Sequence, residues 1–149
     1  MSKKLVLKVV AYITQRDHLL VFRHTQFPEA GIQVPAGTVE PYEPLAQAVL
    51  REAREETGLA DLKLLAYLGA RDIDLSIYGR DEINRRHFFQ IEYTGKPLLR
   101  WLHDEIHRSD GSAAPIEFEF FWVKYPEEVP ELVAGFGDFL PNLEVHDVS

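Results

Sequence analysis

Glu52, Glu55 and Glu56 fall within five consecutive positions of the segment GTVEPYEPLAQAVLREAREETGL, residues 37–59, with Arg51 as the nearest cation. Around them Ala46, Val49, Leu50 and Ala53 recur at helical spacing and form an apolar stripe. Pro44 suits a first helical turn, where its missing N–H costs nothing, and Gly58 suits the position just past the last turn. The spacing therefore predicts a helix over 44–57. With Glu52 at zero and 100° per residue, Glu55 falls at about 300° and Glu56 at about 40°. The three carboxylates share one arc at the edge of the apolar stripe, while Gln47 and Arg54 lie on the solvated side. Like charges three and four positions apart cost about 0.2–0.5 kcal/mol per pair. Partial burial sharpens that repulsion, and the helix dipole disfavours anions in the last turns. On this reading Arg51, four residues before Glu55, offsets one charge and not three. A hard divalent cation, Mg²⁺ or Mn²⁺, resolves the conflict. The competing reading is an ordinary solvated face, because E-x-x-E-E alone is common.

The elements that must position this helix follow from the rest of the pattern. Leu5–Thr14 and His18–His24 read as two strands of a hairpin, joined by the polar turn Gln15-Arg16-Asp17. FPEAG, residues 27–31, reads as a loop, and Ile32–Val34 as a short strand that ends at Pro35. Beyond the helix, Leu62–Ile73, His87–Tyr93 and Ile116–Lys124 read as strands, with 74–86 a polar loop. The long connection between the last two holds Trp101, His103, Asp104 and Glu105, and such connections are usually functional or mobile. His103 and His107 are four apart but have no third ligand beside them, so they read as loop residues. Val129–Phe139 is expected to form a second helix, broken near Gly135 and Gly137. The order of strands, helix, strands, helix predicts a mixed sheet packed by helices, in the α/β (α+β) class.

Composition narrows the chemistry. The chain has 149 residues, which suits a single domain over 1–149 with a real core. The formal charge is -8, from 24 acidic and 16 basic residues. That balance argues against a nucleic-acid polymer as partner, since backbone binding needs a basic face. A small phosphorylated substrate stays compatible, because a metal ion can supply positive charge. With no cysteine, disulfides, zinc thiolates and thiol nucleophiles are excluded. The opening MSKKLVLKVV has two lysines before an apolar run, as a signal peptide does. Lys8 interrupts that run and no small-residue cleavage site follows, so it reads as a first strand. No apolar stretch reaches the roughly 20 residues of a membrane span. A cytoplasmic location is expected and no membrane partner, with a homodimer left open.

The acidic segment resembles the signature of the Nudix hydrolase family, G-x5-E-x7-R-E-U-x-E-E-x-G-U, where U is a bulky aliphatic residue. Here it reads Gly37, Glu43, Arg51, Glu52, Ala53, Glu55, Glu56, Gly58 and Leu59 at the required spacing. The one soft departure is Ala53, small where the family usually has Ile, Leu or Val, and it concerns packing under the helix. VPAG leading into the motif, and the later strands HFFQIEY and FEFFWVKY, extend the likeness along most of the chain. The resemblance implies an α/β/α sandwich and a loop–helix–loop motif. It implies hydrolysis of a nucleoside diphosphate linked to another group, with water attacking phosphorus in the presence of Mg²⁺ or Mn²⁺. By position Glu52, Glu55 and Glu56 would hold the metal, joined by the Gly37 carbonyl. Glu43, Arg51 and Gly58 would be structural, with Arg51 orienting a helix carboxylate.

Family members differ in the group that removes the proton from water. Glu55 and Glu56 are candidates on the helix; Glu117, Glu119, Asp104 and Glu105 are candidates outside it, with Glu117 favoured. For substrate contact, Arg23 leads, with Arg85, Arg86, Arg71 and Arg80 also able to hold a phosphate bidentately. Trp101, Phe27 and Tyr78 could stack a base. Nucleoside triphosphates, dinucleoside polyphosphates and nucleotide sugars all fit as small-molecule nucleotide substrates. The absence of proline from DIDLS, residues 72–76, speaks mildly against ADP-ribose. The alternative is a Nudix-fold nucleotide sensor with weak catalysis, although sensors generally lose motif glutamates and this chain keeps them.

Overall fold

The computed structural model describes residues 3–105 and 115–144. Its strands are β1 (Lys4–Gln15), β2 (His18–His24), β3 (Ala36–Thr38), β4 (Leu62–Asp74), β5 (Glu82–Tyr93), β6 (Arg100–Glu105) and β7 (Ile116–Lys124), with the helix α1 (Leu45–Thr57) between β3 and β4. They form one mixed sheet in the order β4-β5-β1-β2-β7-β6, and β3 pairs with β1 off that path. β1 and β5 run parallel over eleven partners, from Lys4↔Glu82 to Thr14↔Glu92. The other pairings are antiparallel. No helix among the described residues is long and apolar enough to cross a membrane.

Alternation along the strands divides the core in two. Val9, Ala11, Ile13, Phe22, Phe89, Ile91 and Phe120 face α1, packing on its Ala48, Val49 and Ala53. Val10, Tyr12, Leu19, Val21 and Phe88 face the other way, where Leu132, Phe136, Phe139 and Leu140 cover them. This is the half-and-half burial that a period of two produces in a central strand. The second cover is not the helix expected over Val129–Phe139. It is irregular chain with short 3-10 turns at Val133–Gly135 and Leu140–Asn142. Ala134 and Gly135 take positive φ, which stops an α-helix from propagating. The sheet fixes this segment instead: the Tyr12 hydroxyl donates to the Phe136 carbonyl, and the Tyr125 hydroxyl to the Leu140 carbonyl at 2.7 Å. The α+β class and mixed sheet stand, with one α-helix and a second layer made of turns.

Three further boundaries differ from the sequence reading. Ile32 and Gln33 make only isolated bridges, to Leu132 and Phe22, and the short strand lies later, at Ala36–Thr38. Pro35 separates the two because it has no N–H to donate. The polar stretch 74–86 holds a 3-10 turn at Leu75–Tyr78, and then β5 begins at Glu82. The long connection contains β6, an edge strand on β7. His107 lies outside the described residues.

The pairing of β1 with β2 positions the site. These strands are bonded only at Thr14↔Leu19 and Gln15↔His18, beside their turn. Beyond that they diverge. β3 takes the free edge of β1, at Lys8↔Thr38, Val9↔Gly37 and Val10↔Ala36, and Gln33 bonds Phe22 on β2. The divergence opens a cleft in the sheet that α1 reaches from one face.

Candidate active site

α1 starts after Pro44, whose φ of -62° and ψ of 144° place it just outside the first turn. It ends at Gly58, in the left-handed conformation at φ 78°, with its N–H on the Arg54 carbonyl. β6 secures the same end. Trp101 Nε1 donates to the Thr57 carbonyl at 2.9 Å, and His103 Nε2 lies 3.0 Å from the Glu55 carbonyl oxygen. These partners satisfy carbonyls that a helix end otherwise leaves to solvent. Trp101 also stacks on Phe120, with centroids 5.4 Å apart.

The three helix glutamates occupy three environments. Glu56 is 7% exposed and lies within the buried stripe of Ala48, Val49, Ala53 and Thr57, not at its edge. Its Oε2 accepts from the Ala36 N–H at 3.2 Å. Glu52 stands at the edge, with 18% of its side chain exposed, and Glu55 is 48% exposed. Ala46, expected in the stripe, is exposed. A side chain at position 37 would displace the Glu52 carboxylate: a Cβ there would lie 2.0 Å from its carboxyl carbon. β3 thus presses its backbone onto the Glu52 carboxylate.

Arg51 does more than offset one charge. Its Nε and Nη2 grip Glu43 at 2.7 and 2.9 Å, and Nη1 reaches Glu52 at 2.8 Å and Glu55 at 3.3 Å. Nη2 also donates to the Thr38 carbonyl at 3.1 Å. A planar fork of five donors can hold several acceptors at once, which a count of charges along the chain does not register. The guanidinium beside Glu43 lowers that carboxyl to about 2, and Glu43 in turn raises Arg51 above its ordinary value.

No group of three or more acidic or histidine side chains among the described residues is gathered closely enough to grip a metal ion. Arg51 holds Glu52 and Glu55 in its place. The donor set nevertheless fits a hard divalent cation in kind: carboxylate oxygens of Glu52, Glu55 and Glu56 on one helix face, with the Gly37 backbone packed against Glu52.

The cleft measures about 340 Å³ and is lined by Glu56, Gly37, Lys8, Asn84, Arg86 and Phe136, among others. Of the substrate residues expected from sequence, Arg86 lies here. Its guanidinium sits 4.4 Å over the Phe136 ring and donates to the Ala134 carbonyl. Arg23 does not line the cleft; it pairs with Glu119 at 2.7 Å on the β2–β7 face. Arg71, Arg80 and Arg85 pair with Asp138, Glu82 and Asp72. Glu117 is outside the cleft lining as well, and its Oε1 accepts from Thr25 Oγ1 at 2.9 Å. Asp104 is an exposed residue of β6. Phe27, 54% exposed, meets the cleft residue His24 edge-on at 6.0 Å, and Tyr78 is 70% exposed. Lys8 and Asn84 were not anticipated. A cation inside an otherwise apolar strand was the available signal for Lys8.

The family model for the NUDIX domain matches residues 4–143. The chain belongs to the NUDIX domain family. With every motif glutamate in place it is a Nudix hydrolase, of the general class acting on nucleotide pyrophosphates. Solved structures of this fold agree in architecture. One is a MutT NUDIX hydrolase from Burkholderia pseudomallei, 21% identical with TM-score 0.61, covering 95% of this chain and 100% of that one. Another is a MutT protein from Methanosarcina mazei Go1, 21% identical with TM-score 0.60, covering 95% and 94%. A UDP-X diphosphatase is 17% identical with TM-score 0.57, covering 89% of this chain and 57% of that one. No curated protein matches the chain. Nudix hydrolases generally use divalent metal ions and small nucleotide substrates, and the acidic helix beside a cationic cleft suits both.

Proposed function

We propose that this Nudix hydrolase cleaves a pyrophosphate bond in a nucleoside diphosphate linked to another group, using Mg²⁺ or Mn²⁺. Triphosphates, dinucleoside polyphosphates and nucleotide sugars are the substrate classes. The observation that carries the reading is Glu56: an acid among core side chains, lining the same cleft as Arg86. Glu52, Glu55, Glu56 and the Gly37 carbonyl would hold the metal, which when bound neutralises phosphate charge and lowers the pKa of bound water.

The chain's own residues supply the rest. The Ala36 N–H fixes one Glu56 oxygen, so the carboxylate is oriented before substrate arrives. Arg51 holds Glu52 and locks Glu43, which ties the loop before α1 to the helix. Arg86, braced by Phe136 and Ala134, presents positive charge to the substrate anion. Glu56 is the candidate best set to take a proton from water, because it lines the cleft and neither Glu55 nor Glu117 does.

The test is a panel of these nucleotides with Mg²⁺ and Mn²⁺, the products scored by chromatography. Turnover of at least one class that is lost in Glu56→Gln supports the assignment. Nucleotide binding with no turnover of any class would replace it with a sensing role.

A further inference from the structure

Two half-buried cations stand side by side across the parallel ladder, at the register pair Lys8↔Arg86. Asn84 lies one step along the same face of β5, opposite Val6. All three line the cleft that also holds Glu56. Adjacent strands lie about 4.8 Å apart, so the two charges repel through a partly dry medium. Burial lowers both Lys8 and Arg86 from their ordinary values; the more distant carboxylates of Glu82 and Asp138 oppose this in part, and Arg80 and Arg86 lower Lys8 further, as Arg71 does Arg86.

Most arginines of this acidic chain resolve such a problem with a carboxylate. Arg23, Arg51, Arg71, Arg80, Arg85 and Arg100 each make an ion pair. Among the described residues neither Lys8 nor Arg86 has a carboxylate within 4.0 Å. Their hydrogen-bond partners are neutral: Thr38 Oγ1 at 2.6 Å for Lys8 and the Ala134 carbonyl for Arg86. An anion between them would relieve the repulsion. Beside them Asn84 Oδ1 is buried with no hydrogen-bond partner among the described residues, an acceptor that costs free energy until a donor reaches it.

We infer that Lys8 and Arg86 form a phosphate clamp and that the Asn84 carboxamide oxygen accepts a hydrogen bond from an N–H of the base, so that this face of β1 and β5 reads the substrate. The inference rests on the hydrolase reading for its ligand class. Phosphate oxygens meet the two cations, while Phe136 walls the cleft beside Arg86. The base of a nucleotide bears N–H donors that inorganic phosphate and ribose 5-phosphate lack.

Binding is measured by calorimetry in EDTA, without turnover, using the four nucleoside monophosphates, ribose 5-phosphate and inorganic phosphate. Lys8→Met and Arg86→Met are each expected to weaken every nucleotide and ribose 5-phosphate at least tenfold, with Lys8→Arg restoring most of the loss. Asn84→Ala is expected to weaken one or more nucleoside monophosphates about tenfold while ribose 5-phosphate is unchanged. Arg85→Met, one position over and paired with Asp72, should match wild type. Melting curves accompany each variant; Asn84→Ser and Lys8→Gln replace any that fail to fold. Wild-type affinity in the Lys8 and Arg86 variants, or equal losses for all probes in Asn84→Ala, overturns the inference. A wild-type protein that binds in this pattern but hydrolyses nothing removes the catalytic reading alone.

Discussion

Gly37→Ala separates a need for space from a need for backbone freedom. Gly37 does not have positive φ, so alanine is allowed by the backbone there. Its Cβ, however, would stand 2.0 Å from the Glu52 carboxyl carbon and 2.1 and 2.5 Å from the two oxygens. Ordinary contact begins near 3.4 Å, so the carboxylate must retreat by 3.4 - 2.0, or about 1.4 Å. The obstructing group is the end of a flexible side chain, so the stability cost stays near the lower end of the overpacking range, about 1 kcal/mol. That corresponds to a fall of roughly 2–4 °C in Tm for a domain of this size. The functional cost is larger, because a misplacement of about 1 Å in a catalytic constellation costs about 100-fold in rate. Gly79→Ala is the converse control: nothing lies within 4 Å of a Cβ there, but φ is +79°. It should cost about 1–2 kcal/mol from left-handed strain and leave activity alone. Melting curves, kcat against Mn²⁺ concentration, and calorimetry with Mn²⁺ and a nucleotide read both variants. Wild-type turnover and metal affinity in Gly37→Ala would refute the role given to Glu52 beside the β3 backbone.

Glu56→Gln should cut kcat by about 10²–10⁴-fold while the Ala36 N–H keeps an oxygen acceptor and metal-free Tm holds or rises; full activity discards the assignment. Glu43, lowered to about 2 by Arg51, stabilises the fold above its ordinary value of 4.5. That contribution is lost as pH falls from about 4.5 through about 2, so Glu43→Gln should flatten the Tm–pH curve across this window. An unchanged slope would deny the coupling. Trp101→Phe keeps a ring on Phe120 but loses the bond to the Thr57 carbonyl, so stability should fall by about 1 kcal/mol, read as a lower Tm, with KM unchanged. A severalfold rise in KM at constant Tm would place the indole on substrate instead.

The helix and its acids could be read from residue order alone, because apolar spacing, a leading proline and a trailing glycine all act locally. Residue order also determined the family, since the fixed positions of the motif sit next to one another on one helix and its preceding loop. The strands with clean apolar runs, β1, β2 and β7, were legible for the same reason. β5 was misread at its start because Asn84 and Arg86 are polar where a covered strand would be apolar; they line a cleft instead of meeting a core. The C-terminal segment looked helical by composition, yet positive φ at Ala134 and Gly135 and the hydroxyls of Tyr12 and Tyr125 hold it in short turns. Folding in three dimensions is what makes Arg51 span Glu43, Glu52 and Glu55, puts Glu56 inside the core stripe, and sets Lys8 opposite Arg86 in the ladder. Those relations depend on strand register and on the splaying of β1 from β2, and register is set by pairing between residues far apart in the chain.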